Sequence, residues 1–130
     1  MLRRIYLSLC LVCFCSISSA QLVDTLAKIK PSVVGVGVYT PTGRPKNMLS
    51  GTGFVVGNGQ YVITNHHVIP SKLDANLLQE IAVFVGSGKN AIVRKAELID
   101  SSQQYDLAIL KVSGPALPAM TLADGKFIAE

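Results

Sequence analysis

All three cysteines, Cys10, Cys13 and Cys15, fall within the first 15 residues of this 130-residue sequence. The rest of the chain has no thiol. Disulfide staples and cysteine-ligated metal sites are excluded there, so packing alone must hold the fold. Charge is scarce as well. Of 12 lysine and arginine residues, Arg3 and Arg4 lie near the N-terminus, and the other ten face eight acids. So small and scattered an excess gives no basis for binding nucleic acid or an anionic membrane surface. Internal repeats and low-complexity tracts are also missing. The main apolar run, Ile5–Cys15, covers 11 residues, whereas a bilayer-spanning helix needs roughly 20.

What the N-terminus does have is the layout of a secretory signal peptide over residues 1–20. Arg3 and Arg4 supply the positive start, Ile5–Cys15 the apolar middle, and Ser18-Ser19-Ala20 the small residues of a cleavage site. The cysteines precede those small residues, so none is placed for lipid attachment. The expected product is secreted, periplasmic or extracellular, with no membrane association after cleavage. About 110 residues remain, enough for one domain with one core.

Leu22, Val23, Leu26 and Ile29 have helical spacing, and Pro31 ends the pattern. The spacing predicts a short amphipathic helix over 21–31. From Ser32 the character turns to β. Val33–Val38 is rich in β-branched residues, and Thr40–Lys46 reads as a loop. Gly53–Val56 and Tyr61–Thr64 flank the Gly57-Asn58-Gly59 turn, a hairpin signal. Ile81–Val85 and Ala91–Ile99 flank a second turn at residues 86–90, and Leu107–Val112 is a last short strand. Six strands at short, regular spacing predict an all-β sandwich or a small barrel.

Two segments carry chemistry. The first is Gly51-Thr52-Gly53-Phe54, followed by Thr64-Asn65-His66-His67-Val68. The second is Asp106-Leu107-Ala108-Ile109-Leu110-Lys111. In order and separation they resemble the G-[ST]-G-F, T-N-x-H-V and D-[LI]-A-[IVL]-L-K blocks of trypsin-like serine proteases of the HtrA/DegP kind. The resemblance runs from about Val33 to Leu122. It implies an antiparallel six-stranded β-barrel over residues 32–122, the first barrel of a chymotrypsin-type double barrel. Residues 123–130 would then begin a linker to a second barrel lying outside these 130 residues.

The resemblance also implies that His67 is the general base and Asp106 its orienting partner. The chemistry asks for these residue types. A serine hydroxyl is a poor nucleophile until an imidazole takes its proton. A carboxylate on the other ring nitrogen fixes the tautomer and stabilises the imidazolium. Such a triad needs no metal and no organic cofactor, and its substrates are proteins or peptides.

Several look-alikes are set aside. His66 beside His67 suggests a metal pair, but neighbours in an extended chain point to opposite sides. Asp100 is read as an ordinary turn-starting aspartate. Gly86-Ser87-Gly88-Lys89 lacks the upstream glycine of a phosphate-binding loop and is read as a hairpin turn. Ser113 would stand about 23 Å from Asp106 along an extended strand at roughly 3.3 Å per residue. It is a turn residue and no nucleophile.

No serine in the sequence stands in a Gly-x-Ser-Gly-Gly context. The family draws its nucleophile, oxyanion hole and specificity pocket from the second barrel. The expectation is therefore a serine endopeptidase represented by its N-terminal portion and inactive alone. The alternatives are one half of a split protease, completed by a second chain, and a non-catalytic peptide-binding or chaperone-like barrel.

Overall fold

The computed structural model describes residues 20–124. Most of the expected signal peptide, residues 1–19, lies outside the described residues, as do residues 125–130 of the expected linker. Residues 20–29 form the helix α1 and a 3-10 turn follows at Lys30–Ser32, close to the predicted bounds. Along α1, Lys28 lies 3.9 Å from Asp24 one turn earlier, and the Thr25 hydroxyl donates to the Gln21 carbonyl at 2.9 Å. No helix among the described residues is long and apolar enough to cross a membrane.

Beyond α1 comes a separate unit made of six strands: β1 (Val33–Tyr39), β2 (Asn47–Val56), β3 (Tyr61–Thr64), β4 (Glu80–Val85), β5 (Ile92–Ser102) and β6 (Leu107–Val112). They close into one antiparallel barrel in the order β1-β2-β3-β6-β5-β4, so no strand presents a free edge. The predicted all-β, six-stranded antiparallel barrel with a short helix before it is what the chain forms.

Alternation shows how sequence becomes barrel. In β6 Ala108, Leu110 and Val112 are buried while Leu107, Ile109 and Lys111 are exposed. In β3 Val62 and Thr64 are buried. With Val34, Val36, Val55, Val68, Ile81 and Val83 these residues fill the interior. The core is mainly valine, whose stiff β-branched side chain suits a pleated surface. After β6 the chain lies back along the barrel. Leu117 packs against the core while its N–H donates to the Gly59 carbonyl at 2.8 Å.

Two strands are longer than their sequence suggests. β2 begins at Asn47 because residues 47–49 pair with the end of β1, across a bulge at Val36/Gly37. Met48 and Leu49 are exposed, so this half has no alternation to reveal it. β5 runs on to Ser102 through a second bulge between Leu98 and Asp100. Bulges shift the phase of the pleat, which hides a strand from pattern reading.

Candidate active site

β3 leads the chain from the core to the site. Thr64 is buried, and its hydroxyl donates to the Thr52 carbonyl at 2.8 Å. Asn65 then opens a 3-10 turn, His66–Val68. The turn is closed by Val68 N–H to the Asn65 carbonyl and Ile69 N–H to the His66 carbonyl, both at 3.1 Å. Val68 folds back into the core, where Gly51 makes room for it. A Cβ on Gly51 would stand 2.5 Å from Val68 Cγ2. A Cβ on Gly53 would likewise stand 2.6 Å from Val62 Cγ1 and 2.9 Å from the Ile63 carbonyl oxygen. The Gly51-Thr52-Gly53 and Thr64–Val68 segments are thus two sides of one packing contact, with His67 mounted on it.

Asp106 arrives from the other side. Its N–H donates to the Gln103 carbonyl at 3.2 Å, closing the tight turn between β5 and β6. Its φ of 50° is left-handed, a conformation that aspartate tolerates better than most residues. β3 and β6 pair through Thr64↔Ala108. The residues just after β3 and just before β6 therefore meet at the same end of the two strands.

There Asp106 Oδ2 lies 2.6 Å from His67 Nδ1, and the His67 backbone N–H donates to Asp106 Oδ1 at 2.9 Å. The Asn65 side-chain amide donates to the Asp106 carbonyl, also at 2.9 Å. Both members of the pair are partly open to water, with side-chain exposures of 70% for His67 and 45% for Asp106.

The hydrogen bond from the His67 backbone N–H, then that from its ring, holds the Asp106 carboxyl below the usual aspartate value of 3.8. Its slight burial acts the other way, and the charges of His67 and His66 add smaller lowering effects. An ionised carboxylate can only accept. The ring proton is therefore assigned to Nδ1, which leaves Nε2 with its lone pair.

A pH dependence follows from that lowering. When the folded value lies below the unfolded one, ionised Asp106 stabilises the fold above the unfolded value. That contribution is lost as pH falls through the folded value. Urea unfolding of wild type and Asp106→Asn should show wild type more stable at neutral pH, with the gap closing below pH 3.8. A gap that ignores pH would refute the linkage.

The other residues weighed from the sequence lie elsewhere or differ from expectation. His66 and His67 share a 3-10 turn, not an extended chain, so the opposite-faces argument does not hold for them. What separates them is bonding: His67 Nδ1 meets Asp106, whereas His66 Nδ1 is buried with no hydrogen-bond partner. Asp100 does not start a turn. It lies within β5 beside the bulge, with its carboxylate accepting from the Ser101 N–H at 2.8 Å. Ser113, just past the far end of β6, donates its hydroxyl to the Lys95 carbonyl at 3.1 Å. Gly86–Lys89 falls in the β4–β5 connection, with Gly86 and Gly88 at positive φ. Asn65 was missed as a member of the cluster. Its signal in the sequence is its letter in the Thr64-Asn65-His66-His67-Val68 block, which marks the position but not the bond it makes.

Residues 51–129, more than half of the chain, match the family described as the trypsin-like peptidase domain. The chain belongs to that family. The trypsin-like relatives are of the HtrA/DegP kind, a family of serine endopeptidases. The chain is 34% identical over 76 residues to a probable periplasmic serine endoprotease, DegP-like, of Halomonas elongata, covering 58% of the chain and 14% of that protein. It is 30% identical over 103 residues to serine protease HTRA1A of Danio rerio, covering 76% and 20%. The chain thus spans at most a fifth of these relatives' lengths. Among solved structures, Deg5 superposes with a TM-score of 0.62 at 28% identity, over 82% of this chain and 50% of that one. A serine endoprotease from Yersinia pestis gives 0.55 at 26% identity, over 75% and 31%.

Proposed function

We propose that His67 and Asp106 are the general base and orienting acid of a Ser-His-Asp triad, and that the chain supplies this half of a serine endopeptidase. The 2.6 Å contact between His67 Nδ1 and Asp106 Oδ2 carries the reading. With Nδ1 committed to the carboxylate, Nε2 is left to take the proton of a serine as it attacks a peptide carbonyl. The Asp106 charge then stabilises the imidazolium, which returns the proton to the leaving amine.

The serine, the oxyanion hole and the specificity pocket belong in this proposal to a second barrel, beyond a linker that begins at residues 123–130. No serine hydroxyl among the described residues is hydrogen-bonded to His67. The outer surface of β5 and β6 leaves Ile99, Leu107 and Ile109 exposed. Beside Asp106 it carries a shallow hollow of about 130 Å³ lined by residues 100–102 and 107–109. An apolar surface of this kind beside a catalytic pair suits a covering partner better than water. The substrates are proteins or peptides. Export by a signal peptide over residues 1–20 fits the periplasmic description of the DegP-like relatives.

Residues 21–130 alone should fail to hydrolyse casein. Joined to a barrel bearing Gly-x-Ser-Gly-Gly, they should gain activity, and His67→Ala should abolish it. Casein hydrolysis by the chain alone, or a completed protease indifferent to His67→Ala, would overturn the proposal.

A further inference from the structure

We infer that Asn65 is a positioning residue for the His67–Asp106 pair: its side-chain amide, donating to the Asp106 carbonyl, sets the direction in which the Asp106 carboxylate meets the imidazole. The inference rests on reading the two residues as a catalytic pair.

Asn65 stands at the N-cap of the 3-10 turn His66–Val68, where an asparagine side chain ordinarily accepts from a backbone N–H of the turn. Here it makes no capping hydrogen bond. Its amide crosses to the neighbouring turn, reaching the Asp106 carbonyl at 2.9 Å. The β3–β6 ladder explains why a donor is wanted there. Its last rung is Thr64↔Ala108, after which β3 gives way to the 3-10 turn. The Asp106 carbonyl lies past that rung. The Asn65 amide replaces a strand N–H at the place where the ladder runs out.

Asp106 needs such a hold. With φ at 50° it occupies a narrow left-handed basin. Rotation of the peptide that follows it would swing the Cα–Cβ bond, and the carboxylate with it. Three hydrogen bonds join the two turns: His67 N–H to Oδ1, His67 Nδ1 to Oδ2, and Asn65 Nδ2 to the carbonyl. The first two end on the carboxylate and change as protons move. The third ends on the backbone and does not. Asn65 therefore keeps the two turns aligned while the charge of the imidazole changes.

The test needs no peptidase activity. In residues 21–130 labelled with [15N]histidine, the exchange of the His67 Nδ1–H proton with water reads the contact directly. Asp106→Ala serves as the unpaired reference. Asn65→Ala should speed that exchange about fivefold, the scale of one ordinary hydrogen bond. The isosteric Asn65→Asp, which removes the donor, should do the same. The amide spectra of both variants should remain those of the folded barrel. Exchange unchanged in Asn65→Ala would overturn the inference, including the case where only thermal stability falls. A wild-type proton no better protected than in Asp106→Ala would instead overturn the pairing itself, so the two failures are told apart.

Discussion

Under the proposed triad, Asp106→Asn in the chain joined to a barrel bearing Gly-x-Ser-Gly-Gly is expected to lower kcat by about 10⁴-fold with little change in KM. The size follows from proton placement. Asp106 offers two acceptor oxygens to two donors, the His67 backbone N–H at 2.9 Å and the ring at 2.6 Å. Asparagine has one oxygen and one NH₂ in the same space. If the oxygen stays on the backbone N–H, the NH₂ faces Nδ1, which must then present its lone pair. The ring proton moves to Nε2, the nitrogen proposed to receive the proton of serine. If the amide turns round, its NH₂ opposes the backbone N–H and that hydrogen bond is lost. Either orientation misplaces the base. A 10⁴-fold loss corresponds to about 5 kcal/mol of transition-state stabilisation, far above any plausible change in peptide binding. His67→Ala, which removes the proposed base outright, should cost about 10⁶-fold in kcat. Steady-state hydrolysis of a peptide substrate reads both effects. A completed Asp106→Asn enzyme within tenfold of wild type would contradict the tautomer argument.

The parts of this molecule that could be read from sequence are those where one residue type has one physical role. β3 and β6 show through their alternation, since Val62 and Thr64, and Ala108, Leu110 and Val112, must all face inward. His67 and Asp106 could be named because the spacing of their blocks matches a known pattern, and the structure brings them together at 2.6 Å. The first half of β2 could not be read, because Asn47–Ser50 buries nothing and is held by main-chain pairing to β1. The end of β5 was lost to a bulge, and the 3-10 turn at His66 has no periodic signal. Asn65 stands in the sequence as a letter of the T-N-x-H-V block, yet its bond could not be read, for a deeper reason. Its partner is a backbone carbonyl 41 residues away, and a carbonyl leaves no mark on the identity of the residue that carries it. Gly51 is a parallel case. It was read as one letter of a motif, while its physical content, space for Val68, appears only once β2 and the 3-10 turn lie side by side.

Leu110→Ala should destabilise the barrel by about 3 kcal/mol, within the range of 2–5 kcal/mol for such core truncations. Leu110 is fully buried, and the other largest fully buried side chains are valines. It sits in mid-strand, opposite Val62 of β3 and Leu98 of β5. Valines on a closed barrel cannot easily collapse into a gap, since each has few rotamers and its strand is paired on both sides. The cavity should persist, which puts the cost near the middle of the range. Small domains have only about 5–15 kcal/mol in total, and no cysteine follows Cys15 to supply a disulfide. Far-UV circular dichroism in urea should show the midpoint falling sharply. Ile109→Ala, one residue away on the exposed side of β6, should move it far less, because its side chain is already 39% exposed. Equal shifts for the two variants would contradict the inward and outward assignment of β6. The consequence reaches the site as well. Leu110 anchors the strand whose first residue follows Asp106, so the Leu110→Ala barrel should hold the His67 contact less tightly even where it remains folded. Faster exchange of the His67 ring proton in that variant, below its unfolding transition, is the expected sign that core packing and the His67–Asp106 geometry are joined through β6.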